Sequence, residues 1–403
     1  MILDNSESKL VSSEEGFPFD QVDGIRMIFG VGVVDRVGML ATELEAKRVL
    51  LVTDPGLVRA GHAGRVKALL ESSRLEVTLH DQVRENPTTA DVDSAVAIAR
   101  EAKVDAIIGL GGGSSMDTAK GCNFILTNGG RMQDYWGVGK ASRPMLPLIA
   151  IPTTAGTGSE CQSFALIADE VSHQKMACGD PKAMARIALL DPELTLSMPR
   201  RVTACTGIDA LAHALETSVT TQKNPVSWKY SKEAFVRCFK HLGTSLRNPL
   251  NLHARGQVML GAACAGLAIE NSMLGAAHSA ANPLTAHFGL VHGEAVGLMI
   301  PAVLRFNSAN SAAAQAYAEL AVAAGITPDD ATQEEAVEGL IQGLRQMLND
   351  AEIIPSLALA GVPLEAIPML AAEASQQWTA KFNPRPLQRE DFETLYRQAW
   401  QNR

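Results

Sequence analysis

The first half of the chain alternates short, almost wholly apolar runs with stretches of helical spacing. Residues 26–32 (RMIFGVG), 48–54 (RVLLVTD), 75–81 (LEVTLHD), 104–113 (VDAIIGLGGG) and 147–156 (PLIAIPTTAG) read as strands, and 91–103 (DVDSAVAIAREAK) reads as a helix. Strands that are apolar at successive positions are buried on both faces. In strand–helix–strand order they predict a parallel sheet covered by helices. Beyond Pro199 the pattern changes. Ala-, Leu- and Glu-rich stretches such as 232–242 (KEAFVRCFKHL) and 315–325 (QAYAELAVAAG) predict helices instead. Two domains follow, 1–198 and 199–403, with 191–201 (DPELTLSMPRR) as the crossing between them. Residues 1–20 read as a loosely ordered arm.

The run 109–120 (GLGGGSSMDTAK) leaves a buried strand and enters a helix. Gly111, Gly112 and Gly113 let the backbone approach an anion closely, because no Cβ intervenes. Ser114 and Ser115 add hydroxyl donors, and a helix N-terminus aims free N–H groups at negative charge. A tight turn alone accounts for the glycines; the serines directly after them favour a pyrophosphate. The spacing matches neither GxGxxG nor the Walker pattern. Asp54, at the end of another strand, suits the ribose hydroxyls of a dinucleotide and repels a 2′-phosphate, which favours NAD over NADP. Ahead of Pro55 it suits a helix N-cap equally well. Thr153, Thr154, Gly156, Thr157, Gly158 and Ser159 form a small polar run at a third strand end, a weak signal for the same ligand.

Metal chemistry is suggested further on. In 207–216 (GIDALAHALE), Asp209 and His213 stand four apart and so project from one helix face. Alone, that pair reads as a surface contact. The stretch 278–294 (HSAANPLTAHFGLVHGE) adds His278, His287 and His292, with Pro283 read as a helix break that brings His278 and His292 in from two segments. One carboxylate and three imidazoles suit Fe(II) or Zn(II) with room for a substrate oxygen. His62, His80, His173, His241 and His253 are isolated and read as structural or surface groups.

Composition narrows the classes. A chain of 403 residues with 46% hydrophobic and 20% charged residues is globular, and its net charge of −9 gives no reason to expect nucleic acid or an anionic membrane. The 6 cysteines form no CxxC pair and read as free buried thiols. The polar, acidic start resembles neither a signal nor a transit peptide, and no apolar stretch is long enough to span a bilayer. A cytoplasmic protein is expected.

Taken together, GGGSSMDTAK, IPTTAGTGSE (151–160), ALLDPEL (188–194), the DxxxH of GIDALAHALE, His278, His292 and NPRPL (383–387) resemble the iron-containing, group III alcohol dehydrogenases, over almost the whole chain. The resemblance implies a Rossmann-like α/β nucleotide-binding domain followed by an all-α metal-binding domain, the architecture shared with dehydroquinate synthase. It implies a dinucleotide cradle on Gly111, Gly112, Gly113, Ser114 and Asp117. Thr153 and Thr154 match positions near the adenosine half, and Ser159 and Lys175 match positions lining the cofactor cleft. Asp209, His213, His278 and His292 are the implied ligands, for iron or sometimes zinc. Homodimers or larger assemblies are implied as well. One departure stands out: many members carry a histidine four residues after the third ligand, where this chain has Asn282. An amide cannot carry a proton near neutral pH, so water or another group such as His287 must serve.

The expected reaction is reversible hydride transfer between a short-chain or primary alcohol and its aldehyde, with NAD, or NADP, as partner. A specialised aldehyde or oxoacid is the alternative substrate. A dehydroquinate-synthase-like cyclase would need basic residues for a phosphorylated substrate, and none lies within the ligand motifs.

Overall fold

The computed structural model describes residues 24–172 and 174–401, so the N-terminal arm and His173 lie outside the described residues. The chain forms two compact units. One comprises residues up to Thr153 together with Ser163–Leu194; the other comprises Thr154–Gln162 and Thr195 onward.

The first unit runs β1 (Arg26–Phe29), α1 (Val37–Glu43), β2 (Arg48–Val52), α2 (Pro55–Arg59), α3 (His62–Ser72), β3 (Glu76–His80), α4 (Thr89–Ala102), β4 (Ala106–Gly111) and α5 (Gly113–Asn128). It continues through β5 (Gly137–Val138), β6 (Leu148–Pro152), β7 (Phe164–Ala168), β8 (Lys175–Gly179) and β9 (Ile187–Leu190). Six strands make one sheet in the order β1-β9-β6-β4-β2-β3, and every pairing in it is parallel. Its apolar strands are buried as their composition requires: Val49, Leu51, Ile108, Leu110, Ile151 and Leu189 lie in one core with Val37, Leu40, Val66 and Leu70 of the covering helices. The chain places β3 on one side of β2 and β4 on the other. The order therefore reverses between β2 and β4, and the carboxyl ends of strands at such a reversal are where open α/β sheets bind ligands.

A second sheet, β5-β8-β7, was not evident in the sequence. Its β7–β8 pair is antiparallel, with Ala168 opposite Lys175. Strand β9 was also missed, although the sheet needs it to join β1 to β6. The other strands are shorter than the apolar runs suggested. Glycines and caps stop them: Gly32 turns left-handed after β1, and Asp54 caps a helix after β2.

The second unit is helical: α6 (Arg200–Thr217), α7 (Pro225–Arg247), α8 (Leu252–Glu270), α9 (Ala276–Phe288), α10 (His292–Asn307), α11 (Ser311–Ala323), α12 (Gln333–Asp350), α13 (Ile367–Gln376) and α14 (Arg389–Gln401). Helices α6 and α8 are buried around nearly their whole circumference, so they form the centre of this unit rather than its surface. Helices α12 and α14 have one apolar face each, with Leu340, Ile341, Leu344, Phe392, Leu395 and Tyr396 turned inward. Pro283 does not break a helix. Helix α9 runs through it, buried, and ends at Gly289, whose left-handed φ of 64° lets the chain turn without a Cβ clash. The interruption between His278 and His292 is this glycine and the two residues after it. No helix among the described residues is long and apolar enough to cross a membrane.

Candidate metal centre and nucleotide cradle

Helix α6 supplies a polar stripe inside an apolar unit. Asp209, His213 and Glu216 are spaced by four and then three residues, so they share one face, and all three are buried. His278 lies in the first turn of α9, and His292 is the first residue of α10. The start of α9 is fixed from outside the helix. Ala276 N–H donates to Asn383 Oδ1 at 3.3 Å, and Ala277 N–H donates to Glu216 Oε1 at 2.6 Å.

These elements bring three imidazoles around one carboxylate oxygen. Asp209 Oδ1 lies 3.6 Å from His213 Nε2, 3.4 Å from His278 Nε2 and 3.7 Å from His292 Nε2. Asp209, His278 and His292 each offer an atom within 4.8 Å of the other two. The His213 ring stacks on that of His278 with centroids 4.7 Å apart. Asp209 Oδ1 and His278 Nε2 are buried and have no hydrogen-bond partner. Buried polar atoms are rarely left so, and a cation among them removes the anomaly. One carboxylate and three imidazole nitrogens are donors that both iron(II) and zinc accept, so the residues fit the metal.

The carboxylates and imidazoles are coupled electrostatically. Burial alone would push the Asp209 carboxyl up, but His213, His278 and His292 outweigh it and hold the group far below the usual carboxylate range. Burial likewise opposes charge on His278; the Glu216 and Asp209 carboxylates overcome it and raise its pKa to about 9. His213 moves the other way, because burial and the neighbouring His278 exceed the pull of Asp209.

In the first unit, β4 delivers Gly111 into the turn before α5. A Cβ on Gly111 would stand 2.3 Å from Ser115 Oγ, and its φ of 150° is one that L side chains rarely adopt. Gly112 is the N-cap of α5 and makes no side-chain hydrogen bond to the first-turn amides of that helix. Thr153 N–H donates to Gly111 O at 3.0 Å, joining the end of β6 to the same turn. Asp117 is buried within α5. Asp54 caps α2 through Oδ1, which accepts from Gly56 N–H at 2.8 Å and Leu57 N–H at 3.1 Å. Lys175 is exposed at the start of β8. Thr154, Thr157 and Ser159 belong to the second unit.

A family model described as "Iron-containing alcohol dehydrogenase" matches residues 25–192, and one described as "Fe-containing alcohol dehydrogenase family, C-terminal" matches residues 203–400. The chain belongs to the iron-containing alcohol dehydrogenase family. Alcohol dehydrogenase 4 of Schizosaccharomyces pombe is 33% identical over 92% of this chain and 87% of its own length. The NAD-dependent methanol dehydrogenase of Bacillus methanolicus is 32% identical over 92% of this chain and 97% of its own. Among solved structures, an alcohol dehydrogenase from Oenococcus oeni superposes with a TM-score of 0.90 at 30% identity, covering 93% of this chain and 98% of that one. As a member of this family the protein is an oxidoreductase acting on CH–OH groups, interconverting alcohol and aldehyde.

Two residues of this iron-containing alcohol dehydrogenase read as proton or substrate groups lie on α9. Asn282 is one helical turn beyond His278, and its Nδ2 donates to Gln377 Oε1 at 3.0 Å. His287 is nine residues beyond His278, which at 100° per residue turns it to the opposite side of the helix. There it is exposed and pairs with Glu373 at 2.9 Å. Glu216 went unnoticed in the sequence. Its only signal was the spacing to His213 and Asp209, which puts it on the ligand face.

Proposed function

We propose that the protein is a metal-dependent, NAD-linked dehydrogenase of short-chain or primary alcohols, with Asp209, His213, His278 and His292 as ligands of Fe(II) or Zn(II). The observation that carries this reading is the convergence of three imidazole nitrogens on one buried, unpartnered Asp209 oxygen. The α/β region, 1–198, takes the dinucleotide and the helical region, 199–403, takes the metal and substrate. In the first, Gly111, Gly112, Gly113, Ser114 and Asp117 form the phosphate side, with Asp54 at the ribose, Thr153 near the adenosine half and Lys175 lining the cofactor cleft. Thr154, Thr157 and Ser159 are further cofactor-binding candidates.

When bound, the metal supplies a Lewis acid for the alcohol oxygen and the nicotinamide supplies the hydride acceptor. The chain supplies the rest. Asp209 provides negative charge where water is excluded, and the imidazoles provide lone pairs once a cation displaces the proton that His278 would otherwise hold. Asn282 Nδ2 is held by Gln377, so its amide orientation is fixed and its oxygen is available to a substrate hydroxyl. The substrate proton leaves through water, because Asn282 cannot carry it and His287 is engaged with Glu373. The cysteines, buried and in no disulfide, fit a reducing cytoplasm, and the family resemblance favours a homo-oligomer.

Dialysis against a chelator, followed by an alcohol panel read at the NADH absorbance, tests this reading. Activity should disappear and return with iron or zinc. His278→Ala should lose the metal and cut turnover at least about 100-fold, since a Lewis acid contributes several kcal/mol. Full activity in the metal-free protein would refute the assignment.

A further inference from the structure

We propose that Glu216 is a positioning residue for the metal centre: its carboxylate fixes the tautomer and orientation of His278 so that Nε2 presents its lone pair to the ion. The inference rests on the ligand assignment above and goes one shell beyond it.

Glu216 is 3% exposed, on a helix that is buried around nearly its whole circumference. Its two oxygens have separate tasks. Oε1 accepts the Ala277 amide at 2.6 Å, and Oε2 meets His278 Nδ1. An ionised carboxylate only accepts hydrogen bonds, so Nδ1 must carry a proton when Glu216 is charged. In a neutral imidazole the remaining nitrogen, Nε2, then bears the lone pair. That is the nitrogen 3.4 Å from Asp209 Oδ1 and without a partner. A metal-bound histidine is commonly held in this way by a carboxylate on its far nitrogen.

Charge points in the same direction. A divalent cation beside Asp209 alone would leave one uncompensated positive charge in a buried site. Glu216, through the imidazole, brings the balance to zero. Capping α9 explains Oε1, but a neutral glutamine would cap equally well. The buried negative charge is explained only by the imidazole and what lies beyond it.

Glu216→Gln separates the two roles. The glutamine oxygen can still accept the Ala277 amide, while its NH2 group faces Nδ1 as a donor and reverses the polarity of that contact. Zinc is the probe, because it is diamagnetic and does not change oxidation state. Zinc affinity of the metal-free proteins, measured by competition with a chromophoric chelator, should fall about 10–100-fold in the variant. The thermal midpoint of the metal-free variant should stay close to that of the parent. In the zinc-loaded parent, 15N-histidine spectra should show His278 with a protonated Nδ1 and zinc on Nε2.

Equal zinc affinity in parent and variant would overturn the positioning role and leave the ligand assignment standing. Zinc on Nδ1 of His278 would overturn it too, and that spectrum decides even if the variant fails to fold. A parent that binds no zinc would overturn the metal centre itself and this inference with it.

Discussion

At the scale of single residues, the side chains that announced themselves were those whose chemistry is rare. Three histidines and an aspartate in two short motifs were legible because few structural tasks call for such a set. Glu216 was not, because a glutamate in a helix is ordinary and only burial shows that its charge is directed inward. His80 is a comparable case. It closes β3, it is buried, and neither ring nitrogen has a hydrogen-bond partner. Burial lowers its pKa from the usual 6.5, against the opposing pull of Asp81 and Asp91. Above about pH 6.5 the ring is neutral folded or unfolded and pH has no leverage through it. Below that, the unfolded chain takes up a proton that the folded chain refuses, and stability declines until the lowered folded pKa is passed. His80→Leu should therefore tolerate acid better than the parent. Urea midpoints at pH 7.5 and 5.5 provide the check, and a variant that loses as much as the parent between the two would contradict it.

At the scale of elements, type was more legible than extent. Apolar runs located β2, β4 and β6, yet each strand stops short of its run where a glycine turn or a cap takes over. The antiparallel β7–β8 pair was missed because Phe164–Ala168 and Lys175–Gly179 are short and the six residues between them include no Gly, Pro or Asn to mark a tight turn; Asp169, which accepts the amides of Val171 and Ser172, is the weaker signal that was there. Pro283 misled because a proline inside a helix costs one hydrogen bond, and tertiary packing can absorb that. Some family motifs proved to be architectural. Asp191 of ALLDPEL is buried and accepts the amides of Gly32, Val34 and Glu193, each at 3.1 Å. Asp54 combines both kinds of role. Its Oδ1 caps α2, and its Oδ2 accepts no hydrogen bond among the described residues. Asp54→Ala should lose the cap, at about 1 kcal/mol, along with the charge. Asp54→Asn should keep the cap and lose only the charge, so NADP should gain on NAD in kcat/KM while thermal stability holds. An unchanged NADP/NAD ratio in Asp54→Asn would show that the carboxylate serves the helix alone.

At the scale of the whole chain, the change of pattern near Pro199 marked the passage from sheet to helices, but a detour upstream of it was invisible. Residues Thr154–Gln162 leave the first unit, pack into the second, and the chain then returns. What holds them is backbone against backbone. Gly158 has a φ of 62°, and a Cβ there would meet Ala262 O at 2.5 Å and the backbone of Gly266 at 2.7 Å; a Cβ on Gly266 would in turn stand 2.2 Å from Gly158 O. Contacts made through absent side chains leave no hydrophobic pattern to read. Gly158→Ala should accordingly cost about 2–4 kcal/mol, in the range of substitutions that force both strain and overlap. The detour also predicts how the chain can be divided. A fragment of residues 195–403 lacks the segment against which Gly266 packs, and it uncovers the surface that Ala155, Ser159 and Cys161 help to bury. It should keep helical circular dichroism but unfold broadly and bind a hydrophobic dye. Residues 154–162 joined through a flexible Gly/Ser linker to 195–403 should restore a sharp transition. Both fragments lack the sheet, so the difference between their melting curves reports the segment alone. Equal sharpness in the two would mean that the helical unit closes without its borrowed strand of chain.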